Sequence, residues 1–324
     1  MIVVTGAAGF IGSVLVGELN RRGREDLVLV DAFGRADRAA NLAGKRYARR
    51  VERADLGAFL DELRVGEAPV EAVYHMGART DTAEPDRAVF ERLNVAPSKA
   101  LWRFCTERAV PLVYASSAAT YGGGEHGYRD DHGVVERLAP LNPYGESKQA
   151  FDRWVLAQAE TPPFWAGLKF FNVYGPNEYH KGRMASVIFH AFNQIGSTGR
   201  MRLFRSHRGD VADGHQARDF VWVGDLVDIA LWLGERRPAS GLYNVGTGEA
   251  RTFLDLTRAV FASVGVPEDI GFVDTPADIR DTYQYFTEAD MTKLRDAGYA
   301  APFTRLEDGV ARYVRDYLRD ARRY

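Results

Sequence analysis

The first thirty residues alternate between two apolar patterns. Met1–Thr5 is a continuous, β-branched apolar run that stops at glycine, which is typical of a buried parallel strand. From Gly12 to Arg22 the apolar residues recur with helical spacing, and Gly23 follows as a stop signal. Leu27–Val30 repeats the buried-strand pattern and ends at Asp31. The pattern therefore predicts a strand, a helix and a second strand in that order.

The same alternation continues as far as residue 171. Further strands are predicted at Val70–His75, Val110–Ala115 and Ala166–Phe171, with helical patterns near Phe90–Arg108 and Tyr144–Ala159. Strands that alternate with helices in this way favour an α/β fold of the Rossmann type. We expect a doubly wound parallel sheet that helices cover on both faces.

Beyond residue 171 the pattern loosens. Ser206–Ala217 is polar and predicts a surface loop, whereas one strand (Leu242–Val245) and two helices (Phe253–Val264 and Leu306–Tyr317) are still recognisable. We expect a smaller α/β substrate-binding domain, mostly C-terminal. The predicted division gives 1–168 and about 218–238 to the Rossmann domain, and about 169–217 and 239–324 to the smaller domain.

Composition narrows the class of protein. The net charge of −2 over 324 residues gives no reason to expect nucleic acid or a membrane surface as a partner. The single cysteine, Cys105, excludes an internal disulfide and fits a reducing compartment, and its apolar neighbours predict a buried helix position. The chain shows neither a signal-peptide pattern nor an apolar run of membrane-spanning length. We expect a cytoplasmic protein without a metal site.

A glycine-rich turn, GAAGFIG, joins the first strand to the first helix. Glycines at 6, 9 and 12 allow a tight turn and a close approach of backbone to a pyrophosphate, which the helix N-terminus then faces. Asp31, at the end of the second strand, is placed to bind an adenosine ribose and favours NAD. Arg35, Arg38 and Arg53 follow and could bind a 2′-phosphate instead. These residues predict a dinucleotide site and leave NAD and NADP open.

Tyr144 and Lys148 form the next informative pair. Four residues apart on a helix, they lie on one face, where the lysine cation favours the phenolate of the tyrosine. A strand that ends in Ser116 and Ser117 precedes them, and a serine hydroxyl there can hold the reacting oxygen against the tyrosine. Glycine loop, serine and Tyr-x-x-x-Lys, in this order, predict one redox active site.

With these residues in place, the chain resembles the sugar-nucleotide epimerases of the extended short-chain dehydrogenase/reductase family, and among them the ADP-heptose 6-epimerases. The resemblance spans nearly all of the chain. The segments that carry it are VTGAAGFIGS, YASSAATYGGG from Tyr114, NPYGESKQAFD from Asn142, FFNVYGPNEYHKGRMASVIFH from Phe170, RDFVWVGD from Arg218, YNVGTGEARTF from Tyr243 and YQYFTEADMTKLRDAGY from Tyr283.

The resemblance implies roles for individual residues. Ser117 would be the catalytic serine, Tyr144 an acid/base, Lys148 a catalytic and cofactor-binding lysine, and Lys181 a second acid/base that spacing alone does not single out. The implied cofactor-binding residues are Gly6, Gly9, Phe10, Ile11, Gly12, Asp31, Ala32, Arg38, Arg53, Met76, Gly77, Ala78, Arg79, Thr80, Asn94, Tyr144, Lys148 and Val173. The implied substrate-binding residues are Ser117, Asn172, Lys181, Arg183, His190, Phe204, Arg205, Ser206, Arg218 and Tyr283.

The resemblance also implies a reaction. An ADP-heptose would be epimerised at C6″ through a transient ketone, in lipopolysaccharide inner-core synthesis, by a homo-oligomer that is often a pentamer in the family. The resemblance favours NADP as the cofactor, because Arg38 and Arg53 stand at positions where the family has basic residues. Three features depart from the family: Arg183 replaces a small serine, Met76 replaces an acidic residue, and Ser206–Ala217 is long.

Three alternative functions are weighed against this one. A UDP-hexose 4-epimerase would share the site up to Lys148 but has no use for the lysine of the HKG segment. A 4,6-dehydratase would carry Asp-Glu after the catalytic serine, where this chain has Ala118 and Ala119. A non-catalytic cofactor-binding sensor would have lost part of the Ser-Tyr-Lys set, which is complete here.

Overall fold

The core of the protein is a seven-stranded parallel sheet with the strand order β10-β6-β5-β4-β1-β2-β3. The computed structural model describes residues 1–277, 280 and 283–324. The strands of this sheet are β1 (Ile2–Thr5), β2 (Leu27–Asp31), β3 (Arg49–Glu52), β4 (Ala72–His75), β5 (Leu112–Ser117), β6 (Trp165–Phe170) and β10 (Gly241–Val245). The strand order reverses beside β1, which places the ends of β1 and β4 at a crevice where such folds bind ligands.

Helices cover both faces of the sheet because alternate strand residues point to opposite sides. Ile2 and Val4 join one apolar core, whereas Val3 joins the other. The helices are α1 (Phe10–Arg21), α2 (Ala36–Ala39), α3 (Leu56–Val65), α4 (Arg87–Phe90), α5 (Ala96–Glu107), α6 (Pro143–Leu156), α7 (Val187–Thr198), α8 (Val223–Arg236), α9 (Phe253–Val264), α10 (Thr292–Asp296) and α11 (Leu306–Tyr313). Helices α1 and α8 pack on one face, and α3, α5 and α6 on the other. The expected doubly wound α/β class is confirmed.

A smaller α/β region with its own apolar core lies mostly in the C-terminal half. It contains two small sheets, one of order β11-β9-β7 and one that pairs β12 with β8. Their strands are β7 (Asn172–Tyr174), β8 (Met201–Phe204), β9 (Ala217–Trp222), β11 (Ala250–Thr252) and β12 (Ile270–Val273). Residues of α7, α9 and α11 pack with these strands in a third core.

Several elements differ from the sequence expectation. Strand β10 completes the edge of the large sheet beside β6, so the expected boundary at 239 falls before one strand of the sheet. The single helix expected over Phe90–Arg108 is divided among α4, a π-turn at Glu91–Val95 and α5. Helix α11 ends at Tyr313 and continues as a π-turn, and Ala217 belongs to β9 rather than to the polar loop. Cys105 is buried in α5, as expected. Within the described residues, none of the helices has the length and apolar character that a membrane span requires.

Candidate active site

The glycine turn adopts a conformation that larger residues would obstruct. Gly6 has a φ of +65°, and a Cβ there would lie 2.6 Å from the Cα of Gly77 at the end of β4. A Cβ on Gly12 would overlap the carbonyl oxygen of Gly6. Gly9 is the N-cap of α1 and has no side chain to occupy the first-turn amides. The turn therefore leaves a helix N-terminus open toward an anionic group.

A cavity of about 310 Å³ lies against this turn. The expected cofactor residues that line it are Gly6, Gly9, Phe10, Ile11, Gly12, Asp31, Arg38, Arg53, Met76, Gly77, Ala78, Arg79 and Thr80. Ala32 lies beside Asp31 and outside this lining. Because the lining combines helix N-terminal amides, four arginines (Arg35, Arg38, Arg53 and Arg79) and a close glycine backbone, it fits a dinucleotide.

Asp31 and Arg38 are paired at one end of this cavity. The Asp31 carboxylate accepts hydrogen bonds from the backbone amides of Ala8 (2.9 Å) and Ala32 (2.7 Å), and Arg38 Nη1 lies 3.3 Å from it. Burial lowers the pKa of Arg38, and its Nε is buried without a hydrogen-bond partner in the described structure. The arginine thus offsets the charge of Asp31 and keeps an unused donor beside the cavity.

Asn94 contributes from behind the cavity. Its side chain accepts from the Arg79 amide (2.7 Å) and donates to the Arg79 carbonyl (3.0 Å) and to Ser147 Oγ (3.0 Å). The hydroxyl of Ser147 in turn donates to the Tyr144 carbonyl at 2.7 Å. Asn94 does not line the cavity. Through these hydrogen bonds it connects the segment after β4 to α6, the helix that carries Tyr144.

Ser117, Tyr144 and Lys148 meet in a second cavity of about 400 Å³. Ser117 is the last residue of β5, and Tyr144 is the second residue of α6, whose N-cap Asn142 accepts from the Gly145 amide at 2.9 Å. Burial raises the pKa of the Tyr144 hydroxyl, and a hydrogen bond with Ser117 opposes that rise. The structure thus brings together the three residues that the sequence order predicted.

The electrostatics around Lys148 are those of a desolvated cation. Its Nζ donates to the Ala115 carbonyl at 2.6 Å, and burial lowers its pKa to about 8 against the opposing charge of Asp152. Burial, with the charge of Lys148, lowers the pKa of the nearby His75 to about 3, so this histidine is neutral at physiological pH. Its Nδ1 contacts Thr5 Oγ1 (2.6 Å) and its Nε2 contacts Ser98 Oγ (2.9 Å). Lys148 is therefore a buried cation that lies one helical turn from Tyr144 on α6.

Lys181 lies where the two cavities meet. It lines both of them, and its Nζ lies 5.2 Å from the centre of the Phe10 ring. Burial lowers its pKa, Glu178 opposes that shift, and Arg38 adds to it. Lys181 sits in a short turn, Tyr179–Met184, that breaks at Gly182. A lysine with a lowered pKa at the junction of two cavities is suited to proton transfer.

Asn41 and Glu178 hold this turn. The Asn41 amide lies 3.1 Å from the carbonyls of both Ala8 and Asn177 and 3.4 Å from His180 Nδ1. Glu178, which is fully buried, accepts from Ser186 Oγ at 2.7 Å. The lysine turn is consequently fastened to the glycine turn on one side and to the start of α7 on the other.

The expected substrate residues fall into two groups. Ser117, Asn172, Lys181 and Arg183 line the second cavity, together with Val173, which was assigned to the cofactor. Arg183 is exposed and reaches across to Asp81 at 3.0 Å. The residues outside the lining of both cavities are His190, Phe204, Arg205, Ser206, Arg218 and Tyr283.

Most of the second group forms a cluster of its own. Arg218 is buried, lies between the rings of Phe253 (5.6 Å) and Tyr283 (5.5 Å), and donates to the backbone carbonyls of Ala217 and Gln284. Burial lowers the pKa of Arg218. Phe204 packs on Tyr283 with ring centres 6.3 Å apart, and Arg205 and Ser206 follow it in the chain. His190 is exposed on α7, where it packs on Phe189.

Some lining residues were not foreseen from the sequence. Among them are Asp81 and His180 in the first cavity, Met184 in both cavities, and Thr82, Phe170, Phe171, Gln284 and Thr287 in the second cavity. His180 and Met184 flank Lys181 in the chain, which is a signal that could have found them. Phe170, Phe171, Gln284 and Thr287 lie in the family segments that begin at Phe170 and Tyr283, whereas Asp81 and Thr82 lie outside all of the quoted segments.

Comparison with known proteins agrees with this geometry. Residues 2–246 match the NAD dependent epimerase/dehydratase family. The chain is 49% identical over 320 residues to an ADP-L-glycero-D-manno-heptose-6-epimerase of Nitratidesulfovibrio vulgaris strain DP4, with 98% of each chain covered. It is 44% identical over 326 residues to the protein of that name from Fusobacterium nucleatum, again with 98% of each covered.

A solved structure gives the same picture at lower identity. The Helicobacter pylori ADP-L-glycero-D-manno-heptose-6-epimerase superposes with a TM-score of 0.80 at 26% identity, covering 97% of this chain and 94% of the other. The resemblance found in the motifs is thereby confirmed over the full length. The chain belongs to the NAD-dependent epimerase/dehydratase family, among the relatives named ADP-L-glycero-D-manno-heptose-6-epimerase.

Proposed function

We propose that this enzyme interconverts ADP-D-glycero-D-manno-heptose and ADP-L-glycero-D-manno-heptose at C6″, with NADP as a tightly held cofactor. The observation that carries the proposal is the position of Lys181, which lines both the dinucleotide cavity and the cavity of Ser117 and Tyr144. Names of relatives over the full chain support the same substrate. The product would supply the inner-core heptose of lipopolysaccharide.

The chain's own residues account for the proton movements. Ser117 binds the C6″ oxygen and holds it against Tyr144, which removes the hydroxyl proton as the carbon is oxidised to a 6-ketone. Bound NADP⁺ supplies the two-electron acceptor that the chemistry needs and is regenerated in each turnover. Lys148 keeps a positive charge beside Tyr144, which favours its phenolate.

A second proton-transfer group is needed because the returning step occurs on the other face of the carbon. C6″ is exocyclic, so rotation about C5″–C6″ can turn the ketone over within the cavity. Lys181 reaches that cavity from the turn after β7, whereas Tyr144 reaches it from α6. Lys181 then donates the proton that completes the opposite stereoisomer.

Two variants test these roles. Tyr144→Phe and Lys181→Met should each reduce epimerisation of ADP-D-glycero-D-manno-heptose by a factor of about 100 or more, the usual contribution of a proton-transfer group. Lys99→Met is the matched control, because Lys99 lies in α5 and lines neither cavity. Product stereochemistry is followed by NMR. A Lys181→Met variant with the wild-type rate would refute the second acid/base, and turnover of UDP-glucose alone would refute the substrate.

The preference for NADP is proposed from Arg38 and Arg53. Both line the first cavity, and Arg38 already offsets the carboxylate that would otherwise repel a 2′-phosphate. Arg38→Ala should weaken NADP binding by about tenfold or more and leave NAD affinity nearly unchanged. Arg49→Ala is the control, because Arg49 lies on β3 and forms an exposed ion pair with Glu62 of α3. Isothermal titration with NAD and with NADP measures both affinities in each variant. An unchanged preference in Arg38→Ala would mean that Arg38 does not bind the 2′-phosphate.

A further inference from the structure

A fully buried ion pair lies directly behind the Ser117–Tyr144–Lys148 site. Lys169 Nζ, on β6, lies 2.8 Å from Asp152 Oδ2, on α6, and these side chains are 1% and 0% exposed. Buried pairs are costly to desolvate and often add nothing to stability compared with apolar residues of similar size. Stability alone therefore does not account for this pair.

Every polar side-chain atom of the pair takes part in a hydrogen bond. Asp152 accepts hydrogen bonds from Tyr114 (3.1 Å) and Ser116 (2.7 Å) in addition to Lys169. Lys169 donates to Thr120 Oγ1 at 2.8 Å, and its Nζ lies 5.0 Å from the centre of the Tyr121 ring. Such complete satisfaction fixes the two side chains in one arrangement.

Two routes connect the pair to the catalytic groups. The first is mechanical, because Ser116 precedes Ser117 in β5, and the Thr120 hydroxyl that binds Lys169 donates to the Ser117 carbonyl at 2.8 Å. The second is electrostatic, because Lys148 and Asp152 lie one turn apart on the same face of α6. The carboxylate thus acts on Lys148, while Lys169 offsets part of its charge.

We propose that Asp152 and Lys169 are positioning residues of the active site, which fix the end of β5 that carries Ser117 and set the charge that Lys148 experiences. The proposal rests on the function proposed above. The other titratable groups around these residues are Tyr144, Tyr114 and Tyr121, whose pKa values burial raises, His75 on β4, which is neutral, and His132, whose pKa is lowered mainly by burial. Asp152 and Lys169 are accordingly the charges beside Lys148 that substitution can change in opposite directions.

The chain makes a direct measurement practical, since it has only six lysines. Lysine labelled with ¹³C at Cε gives one signal per residue, and Lys148→Met assigns the signal of interest. Asp152→Asn should lower the Lys148 pKa by about one to two units, because a carboxylate one helical turn away is lost. Lys169→Met should raise that pKa, because Asp152 then faces Lys148 without its other partner.

The double variant separates positioning from simple damage. Asp152→Asn/Lys169→Met restores the net charge, so the Lys148 pKa should return toward the wild-type value, and the alkaline limb of kcat/KM for epimerisation should return with it. Arg200 and Asp269 form an exposed pair at 2.7 Å, and neither residue lines either cavity. Arg200→Met and Asp269→Asn are therefore controls that should move neither quantity.

Clear outcomes would overturn the proposal. A Lys148 pKa that stays in place in Asp152→Asn, or that moves in the same direction in both single variants, refutes the charge-setting role. If Asp152→Asn does not fold, Lys169→Met and the charge-preserving Lys169→Arg provide the test. Lys169→Met should raise the Lys148 pKa and Lys169→Arg should not, so equal values in the two variants would refute the charge-setting role. The NMR titration uses no substrate, so an enzyme inactive on ADP-heptose would refute the proposed function and leave this test intact.

Discussion

Gly12→Ala is expected to destabilise the protein and weaken cofactor binding at once. The added Cβ would overlap the Gly6 carbonyl oxygen and lie 2.7 Å from its carbonyl carbon and 3.2 Å from Ala7 Cα. These are backbone atoms of a tight turn, so the helix or the turn must shift. Overpacking of this kind costs about 1–3 kcal/mol, and alanine's better helix propensity returns about 0.5–1 kcal/mol. The expected net loss of unfolding free energy is therefore about 1 kcal/mol, within limits of about 0 and 2.5 kcal/mol.

Gly57→Ala is the matched control because it is the same substitution near the start of another helix. Gly57 is exposed in α3, and among the described residues no atom outside its chain neighbours and the adjoining helix backbone lies within 4 Å of the place that an alanine methyl group would take there. The variant should gain up to about 1 kcal/mol from helix propensity alone. The two variants should therefore shift the apparent midpoint of thermal unfolding in opposite directions.

The cofactor assay completes the test of Gly12. Displacement of the Gly6–Gly9 turn should weaken NADP binding by about tenfold or more in Gly12→Ala, which equals about 1.4 kcal/mol, and leave it unchanged in Gly57→Ala. Isothermal titration measures both affinities. If Gly12→Ala has the wild-type affinity and midpoint, the close packing of helix against turn does not hold this site together.

Two further predictions concern His75 and Arg183. Burial holds the His75 pKa near 3, below its unfolded value near 6.5, so the unfolded chain binds the extra proton between these values and stability rises with pH across that window. His75→Gln should reduce the slope of unfolding free energy against pH in this window by up to about 1.4 kcal/mol per pH unit. Denaturant titrations at several pH values from 4 to 6.5 would measure that slope. An unchanged slope would mean that His75 is not the group responsible. Arg183→Ala removes an exposed pair with Asp81 and should change stability by less than about 1 kcal/mol. If Arg183 contacts substrate, the variant raises KM for the ADP-sugar whereas Asp81→Asn does not, and equal KM values in all three proteins would exclude that contact.

The large sheet was predictable because its strands are buried on both faces and read as apolar runs. Strand β3 was missed for the opposite reason: it is an edge strand, Arg49–Glu52, in which only Val51 is buried. At the division of α4 from α5 the sequence offers one signal, Pro97 in the first turn of α5, but hydrophobic periodicity alone does not show that Glu91–Val95 forms a π-turn. Long apolar elements were thus accessible to sequence reasoning, and polar edges and local winding were not.

The site divides in the same way. Gly6, Ser117, Tyr144 and Lys148 follow from local patterns at the ends of strands and the starts of helices, where the fold brings them together. Spacing alone does not indicate Lys181, which needed the family resemblance. The Asp152–Lys169 pair joins a helix to a strand through contacts that only the folded chain reveals. Likewise, the sequence could not show that the backbone carbonyl of Gln284 accepts a hydrogen bond from Arg218.

The two proposed proton-transfer groups, Tyr144 and Lys181, belong to segments of different stability. Tyr144 belongs to a fourteen-residue helix against the central sheet, whereas Lys181 belongs to a six-residue turn that breaks at Gly182. Short segments of this kind open at lower free energy than helices backed by a sheet. In stored or heated enzyme, we expect the segment that carries Lys181 to lose its native conformation before the helix that carries Tyr144 does. Under the proposed mechanism, such a preparation would still pass hydride back and forth between the sugar and the cofactor through Tyr144 but would no longer invert C6″, so hydride exchange would outlast epimerisation.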